Sequence, residues 1–247
     1  MIELKNITVG YGSRTLLDRV SMRVSAGEVT ALIGRNGAGK STLLRAAGGL
    51  GELRGGEILL NGEPLRTMPP QRVAETVSFV TTERVRIANL RCRDVVALGR
   101  APYTNWIGRM QPEDAEIVSR SLREVGMESY ADRTMDSMSD GERQRVMIAR
   151  ALAQQTPVIL LDEPTSFLDI TNRYEICSLL RELAHNEGKA VLYSTHELDI
   201  ALNLCDSVAL IDSPNLCHKP AAEMRSCGLI ERLFGLKNIG YERDAGI

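Results

Sequence analysis

The sequence predicts an α/β fold built on a largely parallel sheet, with antiparallel strands near its start and a helical segment inserted in its middle. Three observations carry this expectation. Val29–Ile33, Val158–Leu161, Ala190–Tyr193 and Val208–Ile211 are short apolar runs of the kind buried on both faces. Helical patterns separate them, as the crossovers between parallel strands require. From about Val85 to Leu152 no run of buried strand interrupts a helical patterning.

The elements follow in order. Ile2 and Leu4, then Val20, Met22 and Val24 past a turn, alternate with polar residues as in antiparallel strands with one wet face. Leu43-Leu44-Arg45-Ala46-Ala47 opens a helix directly after the run Val29–Ile33 and a glycine-rich loop. Gly55-Gly56-Glu57-Ile58-Leu59-Leu60-Asn61-Gly62 is a further strand bounded by turns. In the insertion, Ile117, Leu122 and Val125 sit among charges, with Pro112 at a helix start. Residues after Ser213 are weakly patterned. The predicted division is a single domain, 1–247: an α/β core from 1–84 and 153–212, a helical part from 85–152 and a tail from 213–247.

Composition narrows the function classes. The chain has 247 residues with 30 Lys+Arg against 32 Asp+Glu, and 43% of it is hydrophobic. That balance excludes a strongly basic nucleic-acid packager and a disordered chain. Neither a membrane-spanning apolar stretch nor a signal-peptide pattern is expected. Five Cys without C-x-x-C spacing argue for reduced thiols in the cytoplasm rather than a zinc site or a disulfide framework. The near-neutral total hides a local asymmetry: 84–109 holds six Arg and one Asp (net +5), and 110–132 holds six acids and two Arg (net −4).

The chemistry begins at Gly34-Arg35-Asn36-Gly37-Ala38-Gly39-Lys40-Ser41-Thr42, which fits G-x-x-x-x-G-K-[ST] between a buried strand and a helix. Its glycines let backbone N–H groups turn inward around phosphate oxygens, and the helix N-terminus adds its positive dipole end. Lys40 reaches the terminal phosphates and the Ser41 hydroxyl serves Mg²⁺. This pattern binds a nucleoside triphosphate; a glycine-rich helix cap is the plainer alternative. Val158–Leu161 then delivers Asp162 and Glu163 at a strand's carboxyl end, where ligands bind in open α/β sheets. Asp162 suits the magnesium shell, and Glu163 suits polarising a water for attack on the γ-phosphate.

Met138-Ser139-Asp140-Gly141-Glu142-Arg143-Gln144-Arg145 names a family: it resembles the LSGGQ signature of the ATP-binding subunits of ABC transporters. Taken alone, Ser139 to Glu142 is a capping box opening a helix to Ala153, and a helix N-terminus is also an anion site. The resemblance implies a P-loop NTPase (RecA-like) core. It further implies that Ser139, Asp140, Gly141 and Glu142 contact the γ-phosphate of an ATP held by a second copy, so that two ATPs join a head-to-tail dimer. Ser166-Phe167-Leu168-Asp169 resembles the D-loop at that interface, with Asp169 in contact with nucleotide. His196 in Tyr193-Ser194-Thr195-His196-Glu197 resembles the switch histidine, and Tyr11 in Val9-Gly10-Tyr11-Gly12 the aromatic that stacks on adenine.

One station departs. Where the family has Gln, alignment on Val77-Ser78-Phe79-Val80-Thr81 places Thr82, followed by Glu83. The expectation is that Thr82 acts through a bridging water or that Glu83 is the magnesium ligand. Leu98-Gly99-Arg100-Ala101-Pro102-Tyr103 to Gly108-Arg109 is similar to a stretch in ATPases of iron–siderophore, haem and cobalamin importers. That subgroup implies membrane permease subunits, an extracytoplasmic substrate-binding protein, and a place on the cytoplasmic face of the membrane. The arginines of 84–109 are expected to face the permease or anionic lipid. Three other readings are an ABC-type ATPase of another transport system, a soluble ABC-type ATPase on nucleic acid and a non-hydrolysing nucleotide-binding scaffold. The net charge and the missing coiled-coil insertion argue against nucleic acid, and the pair Glu163 and His196 argues against the scaffold.

Overall fold

The computed structural model describes residues 1–82, 89–104 and 110–235. Among these residues ten strands and nine α-helices follow in chain order. They are β1 (Ile2–Tyr11), β2 (Arg14–Val24), β3 (Val29–Gly34), α1 (Lys40–Ala47), β4 (Gly55–Leu60), β5 (Glu63–Pro64), α2 (Pro70–Thr76) and β6 (Val77–Val80). The helical part holds α3 (Cys92–Ala97), α4 (Pro112–Glu124) and α5 (Asp140–Ala153). The chain returns through β7 (Val158–Leu161), α6 (Ile170–Glu187), β8 (Ala190–Ser194), α7 (Leu198–Leu204), β9 (Ser207–Asp212), β10 (Asn215–Pro220), α8 (Ala221–Ser226) and α9 (Leu229–Phe234).

The main sheet has the order β10-β9-β3-β8-β7-β6, parallel except where β10 returns antiparallel to β9. All residues of β3, β7 and β8 are buried, as their apolar runs demand. The pleat sends alternate side chains to two separate cores. Ala31, Ile33, Ile159, Leu161, Val191 and Tyr193 face α6, α7 and the helical part, whose Val95, Val96, Val118, Leu122, Val146 and Ile148 join the same cluster. Leu32, Val158, Leu160, Leu192 and Ile211 face α1 and the antiparallel sheet, with Ile2, Leu4, Val20, Met22 and Val24. The insertion therefore shares a core with the sheet, which fixes its position relative to the strand ends.

The second sheet, β2-β1-β4-β5, is antiparallel with Ile2 opposite Val24 and Leu4 opposite Met22. Past Ser213, where patterning is weak, the chain adds the edge strand β10 and the helices α8 and α9, anchored by the buried Ala221, Met224 and Ile230. β10 is legible only as the antiparallel partner of β9, with Leu216 opposite Ile211. In α5, Ser139 is the N-cap: its Oγ accepts from Glu142 N at 3.2 Å, and the Glu142 carboxylate accepts from Ser139 N at 2.8 Å. The carboxyl end of α5 is tied to the sheet, because Arg150 donates to Phe79 O (3.2 Å) and Gln154 to Val77 O (3.1 Å).

Candidate active site

The strand order places the loop after β3 beside the carboxyl ends of β8 and β7, where an open α/β sheet binds its ligands. Two glycines give the loop its turn, with φ of 74° at Gly37 and 110° at Gly39. Gly39 also needs its missing side chain, since a Cβ there would lie 3.1 Å from Leu16 Cβ. Arg35, Asn36 and Gly37 are exposed, Ala38 is buried, Ser41 is exposed and Thr42 is half-buried on the first turn of α1.

Lys40 is only 6% exposed. Its ammonium donates to Gly34 O at 3.1 Å, across the loop it closes. Burial lowers its pKa below that of an ordinary lysine, and the Glu163 and Asp162 carboxylates pull it back up. The ion is thus held inside the loop by charge of the opposite sign.

The register of β7 on β8 sets Leu161 opposite Tyr193, so that the residues following each strand meet. Ser194 Oγ donates to Asp162 Oδ1 at 2.7 Å and accepts from Glu163 N at 2.9 Å. Asp162 is buried, and its N–H donates to Val80 O at 2.8 Å. Glu163 adopts a left-handed φ of 49°, a conformation that costs a non-glycine residue about 1–3 kcal/mol. Ser194 holds the peptide there, and the twist turns the carboxylate toward His196, whose Nε2 lies 2.7 Å from Glu163 Oε1. A carboxylate can only accept, so Nε2 carries the proton in this contact. Lys40 Nζ lies 3.3 Å from the same nitrogen. Lys40, Glu163, His196 and Asp162 are thereby assembled at one point.

The other expected site residues lie on other elements and are not brought to that point. Tyr11 ends β1 and is 83% exposed, with its ring open to solvent. Ser139, Asp140, Gly141 and Glu142 open α5, and Arg143 donates to Asp140 Oδ1 at 3.0 Å. Because Ser139 Oγ accepts from the helix, its own O–H remains able to donate outward. Gly141 backs onto the Ser166–Asp169 segment: a Cβ there would lie 3.2 Å from Phe167 O. Asp169 is the N-cap of α6, and its two oxygens accept from Asn172 N (2.8 Å) and Asn172 Nδ2 (2.7 Å). Thr82 is half-buried just past β6, and Glu83 lies outside the described residues.

Two contributors carry no motif. Ser194 could be inferred from sequence only through the pairing of β7 with β8. Arg173 donates to Leu168 O at 2.8 Å and to Glu197 Oε1 at 2.5 Å, joining the segment before Asp169 to the residue after His196.

The described arginines of 84–109 differ in what they pair with. Arg100 is buried on Asp114 (2.7 Å) and also donates to Ala153 O (2.8 Å), so it is not available to a partner. Arg91 and Arg93 both pair with Asp132, at 3.1 and 2.8 Å. Arg84, Arg86 and Arg109, with the rest of 105–109, lie outside the described residues.

A glycine-rich loop with a buried lysine, a histidine past the end of the adjacent strand and a carboxylate pair past the end of the next define a P-loop ATPase. Residues 17–166 match the ABC transporter family, and the chain belongs to it as an ATP-binding protein that hydrolyses ATP. It is 36% identical, over 95% of its length and 88% of the relative's, to an achromobactin transport ATP-binding protein of Dickeya dadantii. It is 33% identical to the ferric enterobactin transport ATP-binding protein of Escherichia coli, over 94% of this chain and 86% of that one. Among solved structures, a dimeric post-hydrolysis ATP-binding cassette bound to ADP and phosphate superposes with a TM-score of 0.79 at 27% identity, covering 90% of this chain and 99% of that one. A transporter assigned to the metal-chelate type, in an inward-facing conformation, gives 0.83 at 26% identity, with 95% and 89% covered.

Proposed function

We propose that this ATPase powers uptake of a metal chelate of the iron–siderophore, haem or cobalamin kind through a membrane permease, from the cytoplasmic face. The observation that carries the hydrolytic part is the Glu163–His196 contact of 2.7 Å beside Lys40. Glu163 is the base that takes a proton from the attacking water, and His196 holds its carboxylate in place. Lys40 and the N–H groups of Gly34 to Thr42 bind the terminal phosphates, and Tyr11 stacks on the base. The cargo class rests on the siderophore-transport relatives and on the Leu98–Tyr103 resemblance.

The residues present fit magnesium. Among the described residues no cluster of three or more His, Cys, Asp or Glu could hold a metal unaided. Mg²⁺ is suited to one or two protein oxygens completed by phosphates and water. Ser41 Oγ and the Asp162 oxygen not engaged by Ser194 are such a pair. When bound, the ion supplies charge neutralisation of the phosphates. Thr82, through a water, or Glu83 completes that shell in our reading. If neither Thr82→Gln nor Glu83→Ala alters hydrolysis or transport, both leave the scheme.

Two copies close head to tail, with Ser139, Asp140, Gly141, Glu142 and Asp169 of each meeting the nucleotide on the other. No helix among the described residues is long and apolar enough to cross a membrane. A permease therefore supplies the path and an extracytoplasmic binding protein delivers cargo; nucleic acid has no place in the scheme. A groove of about 1240 Å³ beside Thr81, lined by Leu65, Val73, Phe79 and Arg150, spans core and helical part and suits a permease element. The test is co-expression with candidate many-helix permeases. Copurification, and ATPase stimulated by reconstituted permease with ferric siderophore or cobalamin, are expected. Stimulation by DNA instead would overturn the assignment.

A further inference from the structure

Arg54 precedes β4 and has no place in any motif. Its N–H donates to Thr8 O at 2.9 Å, which seats it beside β1. Its side chain then crosses β1 to the β1–β2 turn, where Nη2 donates to Gly12 O at 2.6 Å and Nη1 to Arg14 O at 3.2 Å. Those two carbonyls flank the turn that presents Tyr11, which pairs with Arg14 across the hairpin. The crossing needs Gly10, because a Cβ there would lie 2.5 Å from Arg54 Nη1 and 2.2 Å from Arg14 O. Gly12, with φ of 58°, completes the turn. Two segments remote in sequence thus form one brace: the hairpin supplies a missing side chain at Gly10 and two turn carbonyls, and the α1–β4 connection supplies a forked cation.

We propose that Arg54 is the positioning residue for Tyr11, fixing the hairpin so that the exposed ring is already oriented for the nucleotide base. An 83% exposed ring at the tip of a two-stranded hairpin has little packing of its own to set its direction. Two hydrogen bonds from one rigid guanidinium set the direction of the turn in its place. The ordering is done before the base arrives, so it appears in affinity rather than in the chemical step. The proposal rests on the reading of Tyr11 as the base-stacking residue, and the experiment separates the two.

The full-length protein is compared with Tyr11→Ala, Arg54→Ala, Arg54→Lys and the double alanine variant. Steady-state hydrolysis gives KM for ATP and kcat, and equilibrium binding is measured for ATP and for inorganic tripolyphosphate. Tyr11→Ala is expected to raise KM about tenfold, as loss of one base–aromatic stack does. Arg54→Ala is expected to raise it about threefold to tenfold, with kcat within about twofold and tripolyphosphate binding unchanged. Lysine reaches one carbonyl and gives an intermediate value. The double variant is no worse than Tyr11→Ala, because Arg54 acts through Tyr11. If Tyr11→Ala raises KM and Arg54→Ala does not, the brace is wrong and the stacking reading stands. If Tyr11→Ala leaves KM unchanged, the stacking reading itself falls. Parallel loss of tripolyphosphate binding in Arg54→Ala, or full additivity in the double variant, would show Arg54 acting by charge on phosphate and would overturn the proposal.

Discussion

Arg100→Ala probes the join between the Leu98–Tyr103 segment and the rest of the helical part. Arg100 and Asp114 are 7% and 3% exposed, and their charged atoms lie 2.7 Å apart. The guanidinium also donates to Ala153 O (2.8 Å) and Gln155 Oε1 (3.0 Å) and stacks 4.1 Å from the Tyr103 ring centre. Alanine leaves Asp114 buried with Gln111 N, at 2.8 Å, as its remaining donor among the described residues. Breaking one side of a buried pair costs about 3–5 kcal/mol. At roughly 2–4 °C per kcal/mol for a chain of this size, the melting temperature falls by about 6–20 °C. Burial pushes the Asp114 pKa up, but the Gln111 N–H and Arg100 outweigh it and hold the carboxyl below the usual range. The pair's contribution in the parent is therefore fully present above the unfolded carboxyl's value of about 3.9 and is lost as pH falls through the lower folded value. In the variant the carboxyl keeps its burial and loses its cation, so acidification relieves the variant first. Thermal melts at pH 7.5 and pH 5 should show the gap narrowing at the lower pH, and Arg100→Met with Asp114→Leu should recover most of the loss. A melting temperature within about 2 °C of the parent, or a gap that widens on acidification, would refute the reasoning.

Two further outcomes concern the reacting end of the sheet. Glu163→Gln should lower ATP hydrolysis by on the order of 10²–10⁴ and leave ATP affinity nearly intact, so single-turnover phosphate release at parental rate would remove Glu163 as the base. Ser194→Ala removes the hydroxyl that both steadies Asp162 and accepts the Glu163 N–H. The left-handed turn then loses its partner, and kcat should fall roughly fivefold to a hundredfold, the equivalent of about 1–3 kcal/mol for unpaired buried polar groups. An unchanged kcat would mean that the Glu163 turn holds itself.

The phosphate loop, the acid pair and the signature were legible because each is a contiguous run whose chemistry is local. The central strands were legible because burial on both faces leaves β7 and β8 no polar residue within their apolar runs. What escaped depends on register. Ser194 meets Asp162 only once Leu161 is known to face Tyr193. In β1 only Ile2 and Leu4 alternate legibly, because the register of this ten-residue strand shifts between Leu4 and Ile7 and again before Val9, with Asn6 at φ 48°, which breaks the alternation that marks a half-buried strand. Nor does the sequence show why residue 99 is glycine: a Cβ there would lie 2.2 Å from Arg150 O, so the missing side chain lets the segment lie against α5.

The charge asymmetry changes meaning once the fold is known. The +5 stretch and the −4 stretch are consecutive within one helical part, and together they leave a net of +1. Asp114 takes Arg100, and Asp132 takes both Arg91 and Arg93. These pairs are not equivalent. The first is buried, and releasing it would leave an unpaired charge in the core. The other two are about half exposed and worth little in water, so either arginine can leave Asp132 for a lipid phosphate or a permease carboxylate at small cost. Of the described arginines in this stretch, Arg100 therefore holds the subdomain together, and Arg91 and Arg93 are the ones whose charge can be spent on a partner.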